Sequence, residues 1–179
     1  MPAKARRAAR SHYSQIFYCI YSGPRPTVTQ IDFYILATDS NDSWLRFACR
    51  ITEKARQRKL QVYLHSENEA DATRLDGLLW TFSQGSFIPH RLVGKDSDAP
   101  FEEPVLIGRD DRVAEMPAAT AVPQRWDLMI NLTTQVPDFF SRYDRIAEVI
   151  DANPARRENG RERFRFYRDR GYELKTHKL

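Results

Sequence analysis

The densest chemistry in the chain lies near its end. Arg156, Arg157, Arg161, Arg163, Arg165, Arg168 and Arg170 fall within fifteen positions there, interleaved with Phe164, Phe166 and Tyr167. Planar guanidinium forks grip carboxylates and phosphates through paired hydrogen bonds, so such a segment suits an anionic partner. A second basic stretch opens the chain, where Lys4, Arg6, Arg7, Arg10 and Arg25 all precede the first acid, Asp32. A net charge of +4 is mild, so where the charge sits matters more than its total.

Enzyme chemistry finds less support. His65 closes a strand-like run and, with Asp32 and Asp39, could supply an acid/base pair near the carboxyl edge of a sheet. Polar residues at strand ends serve equally well as caps and turn formers. The histidines are His12, His65, His90 and His177, with no His-x-x-x-His pair and no neighbouring cysteine to complete a metal site. Cys19 and Cys49 stand 30 positions apart without Cys-x-x-Cys spacing, which suggests neither a disulfide framework nor a zinc ribbon and fits a reducing cytoplasm. The first strand-to-helix junction, Leu36 to Ser43, holds no glycine, so backbone cannot approach a pyrophosphate there as dinucleotide sites and P-loops require. No Gly-x-Ser-x-Gly elbow occurs.

The elements that must position these groups follow from periodicity. Ile31-Asp32-Phe33-Tyr34-Ile35-Leu36 reads as a strand that ends in a turn and cap cluster, Thr38 to Ser43. Trp44, Leu45, Phe47, Ala48, Ile51, Thr52 and Ala55 recur at helical spacing, with Arg46, Arg50, Lys54 and Arg58 on the other faces. Gln61 to His65 is a second strand. Ser66-Glu67-Asn68-Glu69 offers a capping box, with Ser66 accepting from the backbone of Glu69, for a helix running through Leu75, Leu78 and Leu79 to Trp80. Val105 to Gly108 is a short apolar run, a loop is expected over roughly 109 to 124, and Asp127 to Leu132 is another buried-strand pattern. The spacing of Phe139, Phe140, Tyr143, Ile146, Ala147 and Ile150 predicts an amphipathic helix over 138–150. The closing segment is an Arg-rich helix interrupted by Gly171 and followed by a possible edge strand at Tyr172-Glu173-Leu174, although Pro154 and Asn159-Gly160 run against helix at its start.

Strands alternating with helices predict one α/β domain over residues 31–179, a central mostly parallel sheet flanked by helices, Rossmann-like in topology but without a nucleotide site. Residues 1–30 read as a basic appendage, either a disordered tail or translation from a start codon upstream of the true one. Their Arg-rich, acid-free start also allows a transit peptide. The apolar patch Ile16 to Tyr21 is shorter than the roughly 7 to 15 residues of a secretory h-region, and no window nears the roughly 18 apolar residues of a membrane span.

Several segments in order resemble one family. They are Asp32-Phe33-Tyr34-Ile35-Leu36, Arg74-Leu75-Asp76-Gly77-Leu78-Leu79-Trp80, Ser86-Phe87-Ile88-Pro89-His90, Asp127 to Leu132, and Arg161 to Tyr172. Together they are similar to the chi subunit of bacterial DNA polymerase III over about residues 31 to 175. Leu-Asp-x-x-Leu-Trp followed by Ser-Phe-x-Pro-His is the most specific part.

The resemblance implies a cytoplasmic accessory subunit of the clamp-loader assembly, without catalytic activity or cofactor and away from any membrane. It would bridge single-stranded-DNA-binding protein to the polymerase through the psi subunit, and would reach DNA only indirectly. In a helix, Arg157, Arg161, Phe164 and Arg168 are spaced i, i+4, i+7 and i+11 and share one stripe. Guanidinium groups flanking an aromatic suit a peptide with acids upstream, an apolar last side chain and a terminal carboxylate, which describes the binding protein's tail in this family. Trp80, Phe87, Ile88 and Pro89 match the family region that meets psi or, alternatively, a helicase. The competing expectation is direct single-stranded nucleic-acid binding, with the Arg clusters on phosphates and Phe164, Phe166 or Tyr167 stacked on bases.

Overall fold

Runs of β-branched and aromatic residues bounded by turn formers make the strands of this chain, and apolar stripes at helical spacing make its helices. The computed structural model describes residues 28–39, 42–83, 85, 87–93, 103–109 and 126–179. Its strands are β1 (Gln30–Ile35), β2 (Val62–Ser66), β3 (Arg91–Leu92), β4 (Val105–Gly108), β5 (Trp126–Leu132), β6 (Tyr143–Ile150) and β7 (Leu174–Lys178). Its helices are α1 (Ser43–Gln57), α2 (Glu69–Thr81) and α3 (Pro154–Asp169). The strands form one sheet of order β3-β4-β2-β5-β6-β1-β7, and every pairing between them is parallel. The parallel α/β architecture expected from the alternation is therefore present.

Both faces of the sheet are covered. Trp44, Leu45, Phe47, Ile51, Leu75 and Leu79 of α1 and α2 share one core with Tyr34, Leu64, Ile107, Ile130 and Val149. Tyr167 of α3 shares the other with Ile31, Phe33, Leu106, Met129 and Ile146. The strand reading at the start is short by a residue or two, since Gln30 pairs with Arg145 and the buried Thr29 hydroxyl donates to the Tyr143 carbonyl (2.8 Å). Most of the segment read as an appendage, residues 1–27, lies outside the described residues, as does most of the loop expected at 109–124.

Three local expectations are corrected. Residues 138–150 do not form a helix: a short 3-10 turn, Phe140–Arg142, leads into β6, which lies between β5 and β1 with all eight residues buried. A strand covered on both faces shows no clean alternation, and its polar residues mimic the solvent face of a helix. Arg145 instead meets Asp32 (3.1 Å), and Glu148 meets Arg163 (2.7 Å), inside the protein. The cap of α2 is Asn68, whose side chain accepts from the Asp71 N–H (2.9 Å); Ser66 is still part of β2, and its hydroxyl donates to the Gly108 carbonyl (3.2 Å). Finally, α3 is continuous through the residues that disfavour helix. Pro154 sits in the first turn, where its missing N–H costs nothing. At Gly160 a Cβ would come within 2.3 Å of Ile150 Cδ1, so the glycine permits close approach of α3 to β6.

Candidate functional site

The closing helix is held in one rotation by its inner face. Asn153 caps it by accepting from the N–H groups of Ala155 (3.0 Å) and Arg156 (3.2 Å). Buried Glu148 on β6 accepts from Arg163 (2.7 Å), from the Tyr167 hydroxyl (3.0 Å) and from Asn131 (3.0 Å), while Arg163 also donates to the Thr134 carbonyl (3.0 Å). Burial, and then the neighbouring Glu148 charge, push the Tyr167 hydroxyl far above its ordinary range, so it stays a donor. Arg156 donates to Asp151 through Nε (2.8 Å) and Nη2 (2.6 Å) and lies over the Trp44 ring at 4.9 Å; the hydrogen bond to Asp151 raises its already high pKa. Two of the seven clustered arginines thus work within the fold.

The outer stripe is different. Arg157, Arg161 and Arg168 are exposed, and Phe164 between them is half-buried with its ring edge-on to Phe33 at 5.1 Å. Arg161 pairs with the exposed Glu158 one turn back (2.7 Å), and Arg168 pairs with the adjacent Asp169 (2.8 Å). Arg157 donates to the Asp151 carbonyl (3.3 Å). Ion pairs this exposed are worth little, so an incoming carboxylate can replace the local acid at small cost. The helix therefore brings Arg157, Arg161, Phe164 and Arg168 together as one charged stripe around a ring fixed from below.

The other rings of the segment are engaged inside. Tyr167 is fully buried, and Phe166 lies under the Arg170 guanidinium at 3.5 Å. Tyr167 offers no face to a base and Arg170 covers one face of Phe166, which weakens the stacking expected of a nucleic-acid platform on α3.

A second surface forms where α2 ends. Trp80 and Phe87 are 53% and 67% exposed with their rings 5.1 Å apart, and the His90 ring stands 5.1 Å from Trp80. Pro89 is also exposed. Ile88 does not belong to this surface. At 4% exposure it shares the α1/α2 core and anchors the loop so that its neighbours point outward. The His90 side chain is itself buried against Trp80, and the 40%-exposed Leu92 of β3 is a further exposed apolar residue; neither was assigned in the sequence. His90 was legible only as part of the motif, and a two-residue strand carries no periodic signal for Leu92.

The acid/base grouping does not assemble. Asp32 on β1 is engaged by Arg145 (3.1 Å) and His177 (2.8 Å), whereas His65 lies on β2, three strands away, beside Phe139 (5.2 Å). Burial pushes the Cys49 thiol up to about 12, which leaves it a core residue rather than a nucleophile. Among the described residues no group of three or more metal-ligating side chains converges, and no helix is long and apolar enough to cross a membrane.

With this geometry in place, comparison with known families is decisive, because the model of the DNA polymerase III chi subunit, HolC, matches residues 28–175. The chain belongs to the chi subunit family. It is 40% identical over 152 residues to the DNA polymerase III subunit chi of Pseudomonas aeruginosa, a match covering 85% of this chain and 98% of the relative. The subunits chi of Haemophilus influenzae and Escherichia coli are 28% and 27% identical, each over 80% of this chain and at least 93% of their own length. Members are accessory subunits of a replicative polymerase, and the α3 stripe and the Trp80–Phe87 surface both fall inside the matched region. Among solved structures, the crystal structure of T4 UvsW superposes with a TM-score of 0.58 at 9% identity, covering 85% of this chain and 42% of that one. At that identity the likeness speaks for the fold alone.

Proposed function

We propose that the chain is a non-catalytic adaptor that links the clamp loader to single-stranded-DNA-binding protein by docking that protein's acidic carboxy-terminal tail on the outer stripe of α3. The observation that carries this reading is the pairing of exposed Arg161 with half-buried Phe164 on a helix locked to the sheet by Glu148. Arg161 would take the terminal carboxylate and the Phe164 ring would support the apolar last side chain. Arg157 and Arg168, on either side, would take the acids upstream. A rigid helix keeps the ordering cost of binding low. On the same reading, Trp80, Phe87 and Pro89 receive the psi subunit, or a helicase in its place, as an exposed aromatic cluster suits a partner that buries it.

Calorimetric titration of a tail peptide into the full chain tests the proposal. Arg161→Ala should weaken binding by about 1.5 to 3 kcal/mol, the range for a hydrogen bond to a charged group, without loss of folded structure. Unchanged affinity would remove Arg161 from the site.

A further inference from the structure

The Trp80–Phe87 surface does not end at its two rings. Phe87 also lines a hollow of about 400 Å³ whose other wall is the closing part of α1, with Glu53, Arg56 and Gln57. That wall is basic. Between Arg50 and Gln57 the helix carries three cations, Arg50, Lys54 and Arg56, and one acid, Glu53. Arg56 is fixed there by donating through Nη1 to the Leu60 carbonyl. Burial lowers its pKa and the Asp127 charge offsets this only in part, so a further anion brought to the guanidinium is favoured. Lys54 is exposed and donates to Gln57 (3.3 Å), itself on the wall. Arg50 is exposed one turn before Glu53, with its guanidinium 6.0 Å from the Phe47 ring. On the aromatic side the nearby acid, Asp76, stands 3.3 Å from His90.

We infer that the psi partner, which on the reading above covers Trp80 and Phe87, is acidic beside its apolar anchor and lays carboxylates across the hollow on Arg56, Lys54 and Arg50. The surface is continuous, because Phe87 belongs both to the aromatic pair and to the hollow, so a chain that buries this ring reaches α1 as well. Its charge chooses the sign of the partner. A basic segment would meet three like charges and one carboxylate, whereas an acidic one meets the reverse. Arg50 and Lys54, at i and i+4, also repel each other in the free chain, and a carboxylate set between them relieves that repulsion. The α1 wall and the α3 stripe lie on opposite faces of the sheet, so these cations are separate from those that would hold the tail peptide. Charges at the rim of such a contact act mainly on the rate of encounter, and the aromatic anchor acts on the lifetime of the complex.

The test is surface plasmon resonance of the psi subunit on the immobilised full chain across a salt series. Arg50→Gln combined with Lys54→Gln should lower the association rate at least about fivefold at low salt, with the loss shrinking as salt rises. Phe87→Ala should instead raise the dissociation rate. Glu53→Gln removes the acid that opposes the partner, so it should raise affinity by about 1.5- to 5-fold, the worth of an exposed charge pair. Gln is a good helix former, and unchanged urea unfolding of these variants is the check that α1 is intact. Weaker binding by Glu53→Gln would reverse the sign of the partner's charge and overturn the inference. An unchanged association rate in the Arg50→Gln, Lys54→Gln variant would also overturn it, and the aromatic surface would stand as long as Phe87→Ala still weakens binding. An equal loss of tail-peptide affinity in the cation variant would reduce these residues to general positive charge and overturn it too. Full binding by Phe87→Ala, or no psi binding by the unaltered chain, would remove the reading of the aromatic surface itself and the inference with it.

Discussion

Arg161 and Arg163 are two residues apart on α3 and do opposite work. Arg163 is buried, with Glu148 at 2.7 Å and the Thr134 carbonyl at 3.0 Å, whereas Arg161 is exposed and meets the exposed Glu158 at 2.7 Å. The inner face of the helix spends its charge on holding α3 in one rotation, and the outer face keeps its charge available. Composition cannot separate the two, because both are Arg in the same run. The sheet separates them, by placing the Glu148 carboxylate under one and solvent over the other.

The largest expected effect breaks the inner face. Arg163→Ala strands Glu148 as a buried carboxylate without its cation, and should cost about 3 to 5 kcal/mol of stability in urea unfolding. Loss of less than about 1 kcal/mol would mean that water reaches Glu148 and that the inner and outer faces are not distinct. A smaller effect belongs to the other surface: Phe87→Ala should weaken psi binding by about 2 kcal/mol or more, as for a central aromatic anchor, and leave tail-peptide affinity unchanged. The smallest sharpens the outer face. Glu158→Gln removes the acid that Arg161 must release, so tail affinity should rise by about 0.2 to 1 kcal/mol, the worth of an exposed ion pair. Glu162→Gln, which removes an equal charge from the same helix without that contact, should change it less.

Much of the fold was legible because local pattern and tertiary role agreed. The stripe from Trp44 to Ala55 faces the core as its spacing predicts, and Val62 to His65 is the expected strand. β6 was not legible, for a physical reason. Its Asp144, Arg145 and Glu148 read as a wet helix face, and partners distant in the chain, Asp32 for Arg145 and Arg163 for Glu148, make two of those groups tolerable inside. Gly160 shows the same limit. Taken by residue type it weakens a helix, but in the structure it is where α3 can approach Ile150. At the site, the spacing of Arg157, Arg161, Phe164 and Arg168 gives the stripe once the helix exists. Ile88 could not be told from its neighbours, because a loop of alternating inward and outward apolar residues offers no period to read.

The central claim, that Arg161 reads a terminal carboxylate, is tested most directly by a double-mutant cycle between that side chain and the tail peptide's end. Calorimetry would compare acid and amidated peptides on the unaltered chain and on Arg161→Ala. Amidation should weaken binding to the unaltered chain by roughly tenfold or more and to the variant by far less, because the variant has already lost the group that reads the charge. Equal fold-losses in both backgrounds would contradict this and reduce Arg161 to a source of general positive charge.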